Sequence, residues 1–457
     1  MVVVAHGIVG RTDLPIPEWL FGWAAAVVLV ASFVALAVLW PQPRLQDGGF
    51  RPLPAGLSRA LGHRVVEGVC GAVGVGLLLL VVYSGLSGAQ AVTANFAPNF
   101  VFVVFWVGLV PASILLGDVF RALNPWRALG RTVAWIAQTA AREPLPAPLA
   151  YPDRLGYLPA VAGLFAFTVL ELVASNGDQP RNVAIATLVY SAITFVAMAL
   201  YGVEAWIGRG EAFSVYFGLF ARISPWTRRE GRLGLRKPLS GLAGFEPLPG
   251  SMLLLAVMIG TVTFDGAAEA PIWTRAAPPL VDAFESIGLS PERALEATFF
   301  VGLCAGVALI YGIYRLGVAG AASVGGGVGG RQLARAFVHT LVPIATAYAL
   351  AHYLTLLAYQ GQSMRFLASN PLGRDGTNIF GTADDAIDYG VIGATTVWYC
   401  QAAFVVVGHV AALTLAHDRA LVTYDRASLA VRSQYWLLVV MVGFTSLALW
   451  LLAQSNG

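Results

Sequence analysis

Four of the six histidines in this 457-residue chain, His339, His352, His409 and His417, fall between positions 334 and 419. The segment reads as an apolar helix, AFVHTLVPIATAYALAHYLTLLAYQG, then a polar loop, then a second apolar helix, VIGATTVWYCQAAFVVVGHVAALTLAHD. Ionisable side chains are costly in a bilayer and are usually kept there for a purpose. Sorting the ionisable residues by depth along the expected helices gives two layers. The outer layer holds Glu171, Asp265, Glu296 and His352, with His6 and the loop residues Asp384, Asp385 and Asp388 on the same side. Imidazole nitrogen mixed with carboxylate oxygen suits a divalent metal such as zinc or manganese with water in an open position. Such a metal would supply a hydroxide nucleophile near neutral pH. His352, Asp265, Glu296 and Glu171 are therefore the candidate catalytic residues, and the first three the candidate metal ligands. The plainer alternative places Asp265 and Glu296 in water at helix ends and hydrogen-bonds His352 to a helix carbonyl. No HExxH or comparable spacing decides between them.

The inner layer holds Glu67, Asp118, Glu204, His339 and His409, with His417 at its edge. On neighbouring antiparallel helices, His339 and His409 fall at matched depth. Two such imidazoles could ligate a b-type haem, with Arg335 near its propionates. The alternative is a structural or proton-handling histidine–carboxylate pair that uses Asp118 or Glu204. His339 and His352 lie roughly 20 Å apart along one helix, so they cannot share a metal.

Helices must position both layers. Hydrophobic residues make up 57% of the chain and charged residues 12%, against about 25% charged in a soluble domain. Several apolar runs exceed the roughly 20 residues that cross a hydrocarbon core. Their length and uniform apolarity rule out barrel strands, so the expected fold is all-α, a polytopic membrane bundle. Ten helices are expected, near 19–40, 65–86, 100–120, 157–174, 183–206, 252–264, 294–314, 334–359, 389–416 and 435–453. Of 28 basic residues, 22 fall in the loops after helices one, three, five, seven and nine. The excess of basic residues on cytoplasmic loops then puts both termini outside the cytoplasm. The N-terminal stretch lacks the features of a cleaved signal peptide. A single lysine, Lys237, against 27 arginines, with abundant Ala, Gly and Val, points to a GC-rich bacterial genome and so to the cytoplasmic membrane. The expected partners are the bilayer and an apolar small molecule, not nucleic acid. Cys70, Cys304 and Cys400 sit in apolar runs without a pairing pattern and read as packing residues.

Three connecting segments stand out. FRALNPWR at 120–127 and FARISPWT at 220–227 are alike and lie 100 residues apart. Asn or Ser, then Pro, then Trp suits an N-cap followed by proline in the first turn. Both are expected as interfacial cytoplasmic helices, near 118–131 and 218–237. The glycine-dense run at 317–330 reads as a linker or close-packing segment rather than a P-loop, because no GK[ST] follows it. The extracytoplasmic loop 360–388 is long, as loops at site entrances often are. Its Asn, Asp and Gly content could make turns or hold a cation, without an EF-hand pattern.

The stretches AHGIVGRTDLPIP, GDVFRALNPWRAL, EAFSVYFGLFARISPW, FGTADDAIDYG and VVVGHVAALTLAHDRAL, with the helix that holds His339 and His352, resemble a family of actinobacterial-type multi-pass membrane proteins labelled fenitrothion hydrolase. The resemblance covers nearly the whole chain. It implies a membrane-bound hydrolase of organophosphate or similar apolar esters, which a metal-bound hydroxide could perform. Two other classes stay open on the residues alone. One is a transporter or metal-handling protein whose path the same residues line. The other is a haem-bearing or assembly subunit of a respiratory complex.

Overall fold

The structure is a computed structural model that describes residues 18–141 and 146–455. It is almost wholly helical. Among the described residues nine helices are long and apolar enough to cross a membrane. We label α1 Glu18–Leu39, α2 Ala55–Leu61, α3 Arg64–Ser87, α4 Phe96–Leu116, α5 Pro125–Ala140, α6 Leu158–Leu172 and α7 Pro180–Tyr201. Then come α8 Ala212–Ala221, α9 Ser251–Ala268, α10 Pro271–Ser286, α11 Pro291–Ala322, α12 Gly330–His352, α13 Ala394–Thr423 and α14 Ala427–Ser455. The candidate spans are all of these except α5, α6, α8 and α10, with α2 and α3 together making one span, Ala55–Ser87. The count differs from ten at α6, whose 15 residues rise roughly 22 Å, short of a 30 Å hydrocarbon core. Helix α8, with ten residues, is shorter still and buried along its length.

Burial sorts the helices. Helix α9 and, from Phe337 onward, helix α12 are enclosed on nearly every side and largely apolar all round, as a central helix must be. Helices α1, α3 and α7 keep many exposed valines and leucines and form the outer ring. Small residues let the backbones of inner helices meet. A Cβ on Gly408 would stand 2.4 Å from the Ala347 Cβ and 2.8 Å from the Pro343 carbonyl oxygen. That contact, with Gln401 Nε2 donating to the Ala351 carbonyl at 2.9 Å, fixes the register of α13 against α12.

The two Pro-Trp segments fold differently. Asn124 caps α5, its Oδ1 accepting from the Arg127 amide at 2.8 Å, and α5 lies on the surface with Val133, Trp135 and Ile136 exposed. The second segment is not the expected helix. Strands β2 Trp226–Arg229 and β3 Arg232–Leu235 form a hairpin, and β1 Arg51–Pro52 joins on the far side of β3 in an antiparallel sheet. The cause is local. The Ser224 hydroxyl accepts from the Trp226 amide, which favours a turn, and Glu230 and Gly231 both take positive φ as a tight hairpin turn requires. The glycine run is likewise split: α11 continues to Ala322, and only Gly325, Gly326 and Gly327 turn with positive φ.

The sheet joins the loop after α1 to the segment after α8. Asp418 near the end of α13 also accepts from Trp40 Nε1, Gln46 Nε2 and the amides of Arg44 and Leu45. These arginine-rich segments thus share one end of the bundle, as the alternation of basic loops requires.

Candidate functional site

The outer site is built where α9 and α12 end side by side. His352 is the last residue of α12, and its Nε2 lies 2.9 Å from Asp265 Oδ2. Tyr353 follows at once and donates its phenol to the same oxygen, also at 2.9 Å. The carboxylate therefore meets two consecutive residues of the chain, which are tipped towards it by the helix break at Tyr353. The two rings meet edge-to-face at 4.7 Å. Gly266 keeps the approach narrow, since a Cβ there would already be in ordinary contact with the imidazole at 3.6 Å. Side-chain exposures of 9% for His352 and 15% for Asp265 leave the pair largely buried but not sealed in. Glu171 on α6 lies within electrostatic range of Asp265, and Glu269 of His352. Tyr216 on α8 stands near Glu171.

Of the four residues expected to be catalytic, the structure joins His352 and Asp265 directly and sets Glu171 beside them. Glu296 is engaged elsewhere. Its Oε1 accepts from the Ser175 amide at 2.9 Å and fastens the turn after α6. Among the described residues no three His, Cys, Asp or Glu side chains converge as a metal-binding group. The expected ligand trio of His352, Asp265 and Glu296 is thus not assembled, because Glu296 is spent on that backbone amide. Asp385 pairs with Arg365 at 2.8 Å, and Asp388 accepts from the Gly390 amide, so these loop acids shape turns. His6 lies outside the described residues.

The inner pair sits at offset positions along α12 and α13. The α12–α13 register brackets Gly408 between Pro343 and Ala347, and so sets His409 about five residues beyond His339. At 1.5 Å per residue the two rings are staggered by roughly 7–8 Å along the bundle. The His409 ring lies 6.3 Å from that of Tyr348, further from His339. The expected matched depth fails because Gly408 sets the register. His409 Nδ1 bonds the Val405 carbonyl at 2.7 Å, and the Nε2 atoms of both histidines are buried without a partner. The alternative carboxylate partners are also taken. Glu204 binds Arg121 at 2.6 Å and Arg127 at 2.9 Å, and Asp118 caps the next helical turn through the Arg121 amide. His417 ties α13 to α14 through Gln434 and to α1 through the Trp40 carbonyl.

A second buried carboxylate was not legible as such. Glu211 is fully buried and accepts from Tyr190, Asn124, and the Phe213 and Ser214 amides. Its signal in the sequence was an acidic residue directly before the apolar run of α8, the position of a helix cap. Compared with protein-family models, curated proteins and solved structures, the chain matches none.

Proposed function

We propose that this protein is a membrane-embedded hydrolase of apolar esters, organophosphate triesters among them, with the His352–Asp265 pair as its acid–base centre. The observation that carries the reading is the hydrogen bond between a histidine and an aspartate at the partly exposed end of the two most enclosed helices. Asp265 orients the ring and stabilises the imidazolium, as a carboxylate does for a catalytic histidine. In the reaction a water oxygen forms a bond to phosphorus while its proton passes to the pair. The ester P–O bond breaks, and the proton then leaves on the departing alcohol or phenol. A substrate that partitions into lipid reaches such a site from the bilayer. With Glu296 committed to Ser175, proton transfer suits these residues better than the three-ligand metal centre expected from the sequence.

The test is hydrolysis of a p-nitrophenyl phosphotriester by the purified protein. Loss of release in both His352→Ala and Asp265→Asn, at unchanged folding, is the expected result; normal turnover per folded molecule in both would overturn the proposal. A second reading, proton-coupled transport, draws on the unpartnered Nε2 atoms of His339 and His409 along the same α12–α13 seam. It expects proton uptake by proteoliposomes and no ester cleavage.

For topology, we propose ten crossings of a bacterial cytoplasmic membrane, with α6 counted as the short tenth and both termini outside the cytoplasm. A short helix is accommodated by local thinning of the bilayer at modest cost. Reporters fused at Arg229 and Gly373 should report opposite compartments, and a shared compartment would reject the topology.

A further inference from the structure

The arginines at the sheet end of the bundle fall into two sets. Arg121, Arg127 and Arg131 are paired with Glu67 and Glu204. Arg51, Arg228, Arg229 and Arg232 on the three strands, with Arg59 and Arg64 beside them, are all exposed, and among the described residues none forms an ion pair with a carboxylate. The Arg228 guanidinium lies against Gly62, 3.1 Å from where a Cβ would stand, and Arg229 lies as close to Gly48 and reaches over the Phe50 ring. Arg229 and Arg232 stand opposite each other on β2 and β3, and like charges so placed repel unless an anion joins them. Arg236 behind the sheet shows the crowding, since burial and the charges of Arg222 and Arg229 pull it down to about 10.

The patch also has an apolar edge. Helix α2 is seven residues long and exposes Leu57 and Leu61, at 48% and 49%, one turn apart on one face. It lies between the end of α1 at Leu39 and the start of α3 at Arg64, the level at which chain meets headgroups if these helices cross a bilayer. Exposed leucines beside unpaired arginines at that level are the composition of a surface that lies in a membrane interface. Apolar side chains enter the acyl boundary while guanidinium groups take phosphate oxygens in bidentate fashion.

From this geometry we infer that the three-stranded sheet and α2 form a binding platform for the headgroups of anionic phospholipids in the adjoining leaflet. The test uses the full-length protein in detergent micelles, titrated with labelled phosphatidylglycerol or phosphatidylcholine. Phosphatidylglycerol should bind and phosphatidylcholine should not, and the affinity should fall as salt rises. Arg228→Gln with Arg229→Gln and Arg232→Gln should weaken binding on the order of 100-fold. The three corresponding lysine substitutions, which keep the charge but not the bidentate fork, should weaken it less than glutamine does, and Arg275→Gln with Arg293→Gln, far from the sheet in sequence, should leave it unchanged. Equal binding of both lipids overturns the inference. So does displacement by inorganic phosphate alone, or undiminished phosphatidylglycerol affinity in a folded triple glutamine variant.

Discussion

Glu211 and Asp265 are both carboxylates inside the bundle, and each accepts a hydrogen bond from a tyrosine. They differ in what else they hold and in how closed they are. Glu211 is wholly buried and takes two backbone amides, one side-chain amide and the Tyr190 phenol. None of these donors changes charge near neutral pH, so the group is a fixed knot joining α5, α7 and α8. Asp265 is 15% exposed in its side chain and holds His352, the one common side chain that titrates near neutrality. Buried polarity alone therefore does not mark a functional residue. A carboxylate saturated by fixed donors locks structure, whereas one paired with a titratable group and not sealed in can move a proton.

The largest effect that tests this contrast is on turnover. His352→Ala or Asp265→Asn should lower ester hydrolysis by about 10²–10⁴-fold, the span of general acid–base catalysis. Thermal unfolding in detergent should move little. If turnover survives while the melting temperature collapses, the two carboxylates are of one kind and the comparison fails.

Next in size is Glu211→Ala. It strands the Tyr190 phenol and the Phe213 and Ser214 backbone amides in the interior, while Asn124 keeps its bond to the Ser214 hydroxyl, and each unsatisfied donor costs about 1–3 kcal/mol. A loss of stability of at least 3 kcal/mol is expected, with activity per folded molecule unchanged. A variant that folds normally but is inactive would move Glu211 into the site.

How far the sequence reached follows from the same physics. Apolar length reports crossings well, and nine of the ten expected helices recur as candidate spans. The exception, α6, is an apolar helix of 15 residues, shorter than the other candidate spans. His352 and Asp265 were legible because each closes an apolar run at the same level, and level is readable from counting residues. Glu296 satisfied the same count, but a partner such as the Ser175 amide is fixed by loop geometry that counting does not see. The offset between His339 and His409 was not legible because depth on antiparallel helices depends on register, and register is set by one close contact at Gly408. The Pro-Trp pair shows the limit of local pattern: two similar octapeptides became a helix and a hairpin, decided by the Glu230–Gly231 turn downstream.

The smallest effect sharpens the comparison most, because it applies the same atomic change at both sites. Tyr353→Phe removes the phenol that shares Asp265 Oδ2 with His352. A hydrogen bond to a charged group contributes about 1.5–3 kcal/mol. If about half of that is felt in the transition state, turnover should fall about 4- to 12-fold, with stability nearly unchanged at this incompletely buried position. Tyr190→Phe removes the phenol on Glu211 and also strands the Ala212 amide, which donates to that phenol at 3.1 Å. That site is closed to water, so the loss should appear as about 1–3 kcal/mol of stability and leave turnover intact. Melting temperature and initial rate measured on both variants give four numbers. The reading expects a crossed pattern, with Tyr353→Phe moving the rate and Tyr190→Phe the melting temperature. A parallel pattern, in which both variants move the same observable, would mean that exposure and partner type do not separate the two carboxylates. The acid–base assignment of Asp265 would then lose its physical basis.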